Sequence, residues 1–275
     1  MVNLTMRQLR YFDALARHAH FGRAAESCSI SQPALSMQIK ELEDALGGML
    51  LERSARQVAL TRFGEELAPR VRDILRSVDE LGDFARASQD RFAGRLRIGM
   101  IPTIAPYLLP KITKNLTRMH PELDIRVRET MTPRLIQELV EGRLDTAIVA
   151  LPVSEPSLTE VALFEEKFLL VRPGTDAGTP VPSREMLDAN SLSTLVQMVS
   201  AGIGVTLIPE MAVSVETRSA SVALSRFRDP EPSRTIGMVW RKTSPLARQL
   251  LQISEVVCLS AGKVRAPKSV RGQRA

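Results

Sequence analysis

The sequence predicts an α/β protein built in series: a small helical head ending in a β-hairpin, one long helix, and a body of alternating strands and helices. Three observations predict it. Two short helical patterns joined by a tight polar turn occupy Phe21 to Arg53, and a heptad repeat follows from Leu67 to Ala85. Beyond Gly94, short apolar runs alternate with helical stretches, the pattern of a parallel sheet with helices on its faces. At 275 residues, 44% hydrophobic and 25% charged, the chain has room for two or more domains and the composition of a soluble globular protein.

The head comes first, over residues 1–61. In its first helical pattern Ala24 and Ala25 are small enough to let a second helix approach closely, and the pattern stops in Ser27-Cys28-Ser29. Ser31 starts the second pattern as an N-cap, with Pro33 in the first turn, where a missing N–H costs nothing. Leu35, Ile39, Leu42 and Leu46 then recur on one buried stripe. The opposite face and leading end present Gln32, Pro33, Ser36, Met37 and Lys40, groups suited to base edges and thymine methyls in a major groove. An ordinary two-helix corner gives the same periodicity, so the hairpin is what favours a winged helix-turn-helix. It reads Leu50 to Arg53 out, Ser54 to Gln57 as turn, and Val58 to Leu60 back. Arg53 and Arg56 near its tip suit phosphates or a narrow minor groove, with solvated surface arginine as the competing reading.

Thr61 can cap the long helix, residues 62–90, with Glu65 and Glu66 near its positive end. Leu67, Val71, Ile74, Val78, Leu81 and Ala85 recur at alternating spacings of four and three. Such a seam stays wet unless a second copy of the chain covers it, or unless the helix packs on its own body. Pro69 predicts a bend.

The body spans 94–262. Strands are expected at Leu96 to Met100, Leu123 to Glu129 and Ala147 to Leu151, with helices at Tyr107 to Met119 and Pro133 to Glu141. In open sheets of this kind ligands sit beyond the strand carboxyl ends. Thr103, Thr130, Thr132 and Ala150 fall there, the threonines serving either as helix caps or as ligand contacts.

The ordered match at Leu9 to Phe12, Phe21 to Ala25, Ser31 to Ser36, Ile39 to Glu43 and Leu60-Thr61 resembles the LysR-type transcriptional regulators. Asp145 to Ala150, Phe168 to Arg172, Ala201 to Pro209 and Arg234 to Trp240 extend the likeness to that family's effector domain. More narrowly, Ile101-Pro102-Thr103, Tyr107 to Pro110, Ser191 to Pro209 and Glu231 to Gly237 look like the peroxide-responsive OxyR branch. The resemblance implies a two-lobed α/β effector domain similar to periplasmic binding proteins, with lobe I at about 94–163 and 236–258 and lobe II at about 164–235. It implies that Gln32, Pro33, Ser36 and Met37 face the bases, that Arg53 and Arg56 hold the backbone, and that Thr103, Thr132 and Gly202 belong to an effector site. Many family members carry arginine where this chain has Met37, and a thioether cannot make arginine's bidentate contact to guanine. The implied partners are promoter DNA, a second copy in a dimer or tetramer, RNA polymerase, and a small-molecule or oxidant effector.

One departure is large. The family carries further secondary structure between the positions of Asn190 and Ser191, which abut here, so lobe II is expected to be truncated. The branch's reactive and resolving cysteines belong to that stretch, and neither Cys28 nor Cys258 takes their places.

Lys263, Arg265, Lys268, Arg271 and Arg274 lie in an acid-free tail, 263–275, and supply most of the net charge of +6, so the DNA reading rests on the motif. No apolar run approaches the roughly 18 to 20 residues that span a bilayer. No secretion signal opens the chain, which speaks for the cytoplasm and against an exported solute-binding protein. There is no P-loop, GxSxG elbow or HExxH helix, and Gly202-Ile203-Gly204 lacks a third glycine, so neither enzyme nor cofactor is expected. His18, His20 and His120 form no metal constellation, and the two cysteines form no zinc pattern.

Overall fold

The computed structural model describes residues 4–52, 58–87, 94–174 and 191–262. It falls into two compact units, Met1–Asp83 and Phe84–Ala275. None of its helices, among the described residues, is long and apolar enough to cross a membrane.

The first unit is the head. Helix α1, Met6–His18, opens on a reciprocal cap: Thr5 Oγ1 accepts from the Gln8 amide at 3.2 Å, and Gln8 Oε1 accepts from the Thr5 amide at 3.0 Å. Helix α2, Phe21–Ser27, brings Ala24 and Ala25 into the core, and α3, Gln32–Leu46, ends on Gly47 in the left-handed region. Leu9, Phe12 and Leu15 of α1 meet Leu35, Ile39 and Leu42 of α3 in one cluster, which Leu50 and Leu51 close. Leu51 bridges Leu60 in antiparallel fashion, and the Glu52 amide donates to the Ala59 carbonyl at 2.9 Å. These are the foot of the expected hairpin. Its tip, with Arg53 and Arg56, lies outside the described residues.

Helix α4, Arg62–Ala87, starts where Thr61 Oγ1 accepts from the Gly64 amide at 3.0 Å. A side chain on Gly64 would collide with the Leu50 carbonyl, so glycine is what lets this helix lie against the hairpin foot. Its first turns join the head: Ala68 and Val71 are buried in the head core, and Leu67 and Leu75 pack against it.

The second unit is an α/β body. In chain order come β1 (Gly94–Met100), α5 (Ala105–Met119), β2 (Leu123–Glu129), α6 (Thr132–Val140), β3 (Thr146–Leu151), β4 (Leu158–Pro173), α7 (Leu192–Ser200), β5 (Thr206–Pro209), α8 (Val213–Glu216), β6 (Val222–Ser225), β7 (Ser233–Arg241) and α9 (Ala247–Ser260). The strands order as β2-β1-β3-β7-β4-β5, with β6 also on β4. β1 pairs parallel with β2 and β3, as the alternation of strand and helix predicts, whereas β7 inserts antiparallel between β3 and β4.

β4 serves both lobes. Its Leu158 to Lys167 stretch pairs with β7, and Phe168 to Pro173 pairs with β5 and β6. On strand pairing, the first sheet therefore runs on to Lys167 and resumes at Ser233, past the division at 163 and 236 that the sequence suggests. A single continuous strand gives no local sign of which distant strand each of its halves will pair with. Among the described residues the two cores also differ in size. The first spans β1, β3, β7, α5, α6 and α9, while the second rests on Val171, Val196, Val199 and Ile208. Beside that small core, Ile203, Val205 and Leu207 of the β5 segment stay exposed at alternate positions.

Candidate nucleic-acid interface and effector cleft

The reading helix is set by its cap and by two carboxylates. Ser31 holds extended backbone and its Oγ accepts from the Ala34 amide at 3.4 Å, while Pro33 lies in the first turn. Leu35, Ile39 and Leu42 are buried, so Gln32, Pro33, Ser36, Met37 and Lys40 are left on one exposed face, with Met37 57% exposed. Glu43 Oε1 accepts from the Leu50 and Leu51 amides at 2.6 and 3.2 Å, tying the helix to the hairpin foot. Glu41 Oε2 accepts from Gln38 at 2.7 Å and from Gln8 of α1 at 3.4 Å. Ionised acceptors make the stronger hydrogen bonds, so these two acids hold the helix at both neighbours. Nothing in sequence separates them from a solvated acidic face.

In the body, the carboxyl ends of three strands lie side by side. Met100 of β1 is in register with Glu129 of β2 and Ile148 of β3, and the Thr130 amide donates to the Met100 carbonyl at 3.3 Å. Thr103, Thr130, Thr132 and Ala150 thus leave the sheet at one end. Helices α5 and α6 begin at Ile104 and Met131 without a side-chain cap, so none of the three threonines is engaged as a helix cap. Gly202 belongs to the second lobe, in the loop after α7, where its φ of +82° suits glycine.

The antiparallel run of β7 sets Thr235 opposite Leu151, which delivers Arg234 to the same end. Its guanidinium donates to Thr103 Oγ1 at 2.7 Å, to the Thr103 carbonyl at 3.2 Å and to Glu166 Oε2 at 2.9 Å, and it lies over the Phe168 ring at 5.4 Å. Glu166 is 1% exposed, and its second oxygen accepts from the Met211 amide at 3.2 Å. A buried carboxylate is tolerated only when paired and hydrogen-bonded, which this one is. A second cluster links the lobes: Tyr107 of α5 and Ser193 of α7 each donate to Glu216 of α8 at 2.6 Å. Burial, then the Glu216 hydrogen bond and charge, push the Tyr107 phenol well above its usual range, so it stays protonated and donating.

Residues 6–65 match the bacterial regulatory helix-turn-helix proteins of the lysR family, and residues 89–182 and 173–257 match the LysR substrate binding domain. The chain belongs to the LysR family. It is 38% identical over 292 residues to the DNA-binding transcriptional dual regulator OxyR of Escherichia coli, covering 92% of this chain and 95% of that protein. A probable hydrogen peroxide-inducible genes activator of Streptomyces viridosporus is 37% identical over 287 residues, at 91% and 92% coverage. Among solved structures, a full-length OxyR variant of Pseudomonas aeruginosa superposes with a TM-score of 0.72 at 30% identity, covering 97% of this chain and 99% of that one. The oxidised OxyR of Corynebacterium glutamicum gives 0.57 at 31% identity, covering 94% and 93%.

As a LysR-type regulator of the OxyR branch, the chain reads DNA with its helix-turn-helix and carries an effector-sensing domain; the family is one of transcriptional regulators, not enzymes. In this regulator the expected reading residues share one exposed face, and four of the five expected effector residues share one sheet end. Arg234, Glu166, Tyr107 and Glu216 were not singled out from sequence. Arg234 meets Thr103 and Glu166 from 131 and 68 residues away, and only folding brings them together. The long-helix seam divides: Val71 is 1% exposed inside the head core, whereas Val78 is 39% and Leu81 67% exposed, with Ile74 exposed beside them. Cys258 is buried, with its Sγ 3.8 Å from the Leu163 carbonyl, and Cys28 is half-buried at the end of α2.

Proposed function

We propose that this regulator acts on promoters of oxidative-stress genes in the cytoplasm, as a dimer that can pair into a tetramer and with RNA polymerase as the machinery it influences. The exposed α3 face of Gln32, Pro33, Ser36, Met37 and Lys40, on a helix anchored by Ser31, Glu41 and Glu43, carries the DNA reading. The names of its curated relatives support the stress-response reading. The exposed Ile74, Val78 and Leu81 support a second copy along the end of α4.

The proposal includes a second lobe shortened between Asn190 and Ser191. Three features support it: the effector-domain match comes in two pieces that overlap at 173–182, the alignment to the Escherichia coli regulator extends over 292 positions while drawing on 92% of the 275 residues here, and among the described residues the second-lobe core is small beside exposed Ile203, Val205 and Leu207. A second reading follows from the cysteines. With Cys28 in the head and Cys258 buried in α9, no thiol belongs to the Thr103–Arg234 end of the sheet, which favours a small polar ligand over thiol oxidation. Genome-wide footprinting with and without hydrogen peroxide tests both. Discrete promoter footprints that shift with peroxide support the oxidant, and discrete footprints indifferent to it support the ligand. Binding without any discrete site sinks the regulator reading itself.

A further inference from the structure

The head holds a concavity that DNA reading by α3 does not use. It has a volume of about 470 Å³ and lies between α1 and the end of α2, where Tyr11, Ala14, Ser27 and Cys28 line it. That size falls within the roughly 300 to 1,000 Å³ typical of small-molecule sites. Its walls are cationic. Arg7, Arg10 and Arg17 line it from one helix, and the sole acid lining it among the described residues is Asp13, which pairs with Arg17 at 2.9 Å. Arg7 and Arg10 are exposed and make no ion pair with a described residue, so two guanidinium forks stand one helical turn apart beside a pocket whose one acid, among the described residues, is already paired with Arg17. Like charges set that close disfavour each other unless an anion lies between them. A guanidinium fork can donate to two oxygens of a phosphate at once.

We propose that this pocket is a phosphate-binding site in which Arg7 and Arg10 grip the oxyanion and Arg17, held by Asp13, closes one side. Ser27 and Cys28 end α2, and Ser31 caps the reading helix three residues later, so an anion seated here lies beside the turn that delivers α3 to DNA. The phosphate comes either from a free phosphorylated small molecule or from the DNA backbone.

The test uses the full-length protein, inorganic pyrophosphate as probe, and the double variant Arg7→Ala/Arg10→Ala. Both residues are exposed, so the variant is expected to keep the wild-type unfolding midpoint. Calorimetric titration should show pyrophosphate binding that falls at least tenfold in the variant. Pyrophosphate should also slow the reaction of Cys28 with a neutral aromatic disulfide in wild type alone, which locates the anion in this pocket. The slope of log affinity for promoter DNA against log salt separates the sources. A fall of about 0.9 per arginine in the variant assigns the site to backbone phosphate, and an unchanged slope alongside pyrophosphate binding assigns it to a free anion. Pyrophosphate binding that survives the double substitution overturns the proposal, as does an unchanged slope with neither binding nor protection of Cys28.

Discussion

Gln32 and Ser36 lie one turn apart on the exposed side of α3, while Leu35 between them is buried, so each can reach a base edge without disturbing the core. Replacing either with Ala should cost about 1 to 3 kcal/mol of discrimination between the operator and a mismatched site. Thermal stability should stay nearly unchanged; competition binding against single-base variants of the operator measures the first quantity and calorimetry the second. That face was legible in the sequence because a stripe of leucines at helical spacing fixes its own opposite. The Arg234 cluster was not, since a charge whose partners stand 68 and 131 residues away looks in sequence like any surface arginine. Tyr107 offers a pH test of the same kind of hidden contact. Its phenol is held protonated in the folded chain above the ordinary value of 10.0. Below pH 10 both states keep the proton and the Tyr107 contribution to stability is whole. Above it the unfolded chain ionises first, so this stability is lost as pH rises. Tyr107→Phe removes the ionisation and should flatten the alkaline limb of the denaturation midpoint plotted against pH. A limb as steep as that of wild type would place the titrating group elsewhere.

Helix α4 shows why one periodic pattern can have two partners. Its apolar positions repeat without a break, yet the first turns fill the head core and the later ones remain exposed. Spacing alone reports which residues share a face and says nothing of what covers it. Gly64 and the cap at Thr61 decide the matter, because they bring the start of the helix against Leu50. Two substitutions of the same chemistry should therefore have opposite signatures. Val71→Asp puts a charge without a partner into a site 1% exposed and should destabilise the head by more than about 2 kcal/mol. Val78→Asp changes a site that is 39% exposed, should leave the unfolding midpoint within a degree or two, and should weaken self-association. Sedimentation velocity over a concentration series, paired with denaturant unfolding, separates the two. A Val78→Asp protein of unaltered mass would move any self-association off this seam.

Across the whole molecule, the order of head, long helix and alternating body was readable because each part has its own period, and the parallel β1, β2 and β3 followed from the strand–helix alternation. The insertion of β7 and the change of partner along β4 were not readable, since both depend on pairing between strands far apart in the chain. The same long strand joins two cores of unequal size, and this unequal burial has a dynamic consequence. Backbone amides exchange through local openings whose cost rises with the apolar contacts an opening breaks. In the first lobe Ile98, Met100, Val149 and Met238 sit in a large buried cluster, while in the second Val171 and Ile208 share theirs, among the described residues, with the buried Val196 and Val199 alone. Amides in β5 and β6 should therefore exchange at least about tenfold faster than those in β1 and β3, a difference of about 1.4 kcal/mol in opening energy. Within β4, Phe164 to Lys167 should be protected and Leu170 to Arg172 should not, although they belong to one strand. Hydrogen exchange read by mass spectrometry resolves these segments, and uniform protection along β4 would mean that the second lobe is held by contacts beyond its small core.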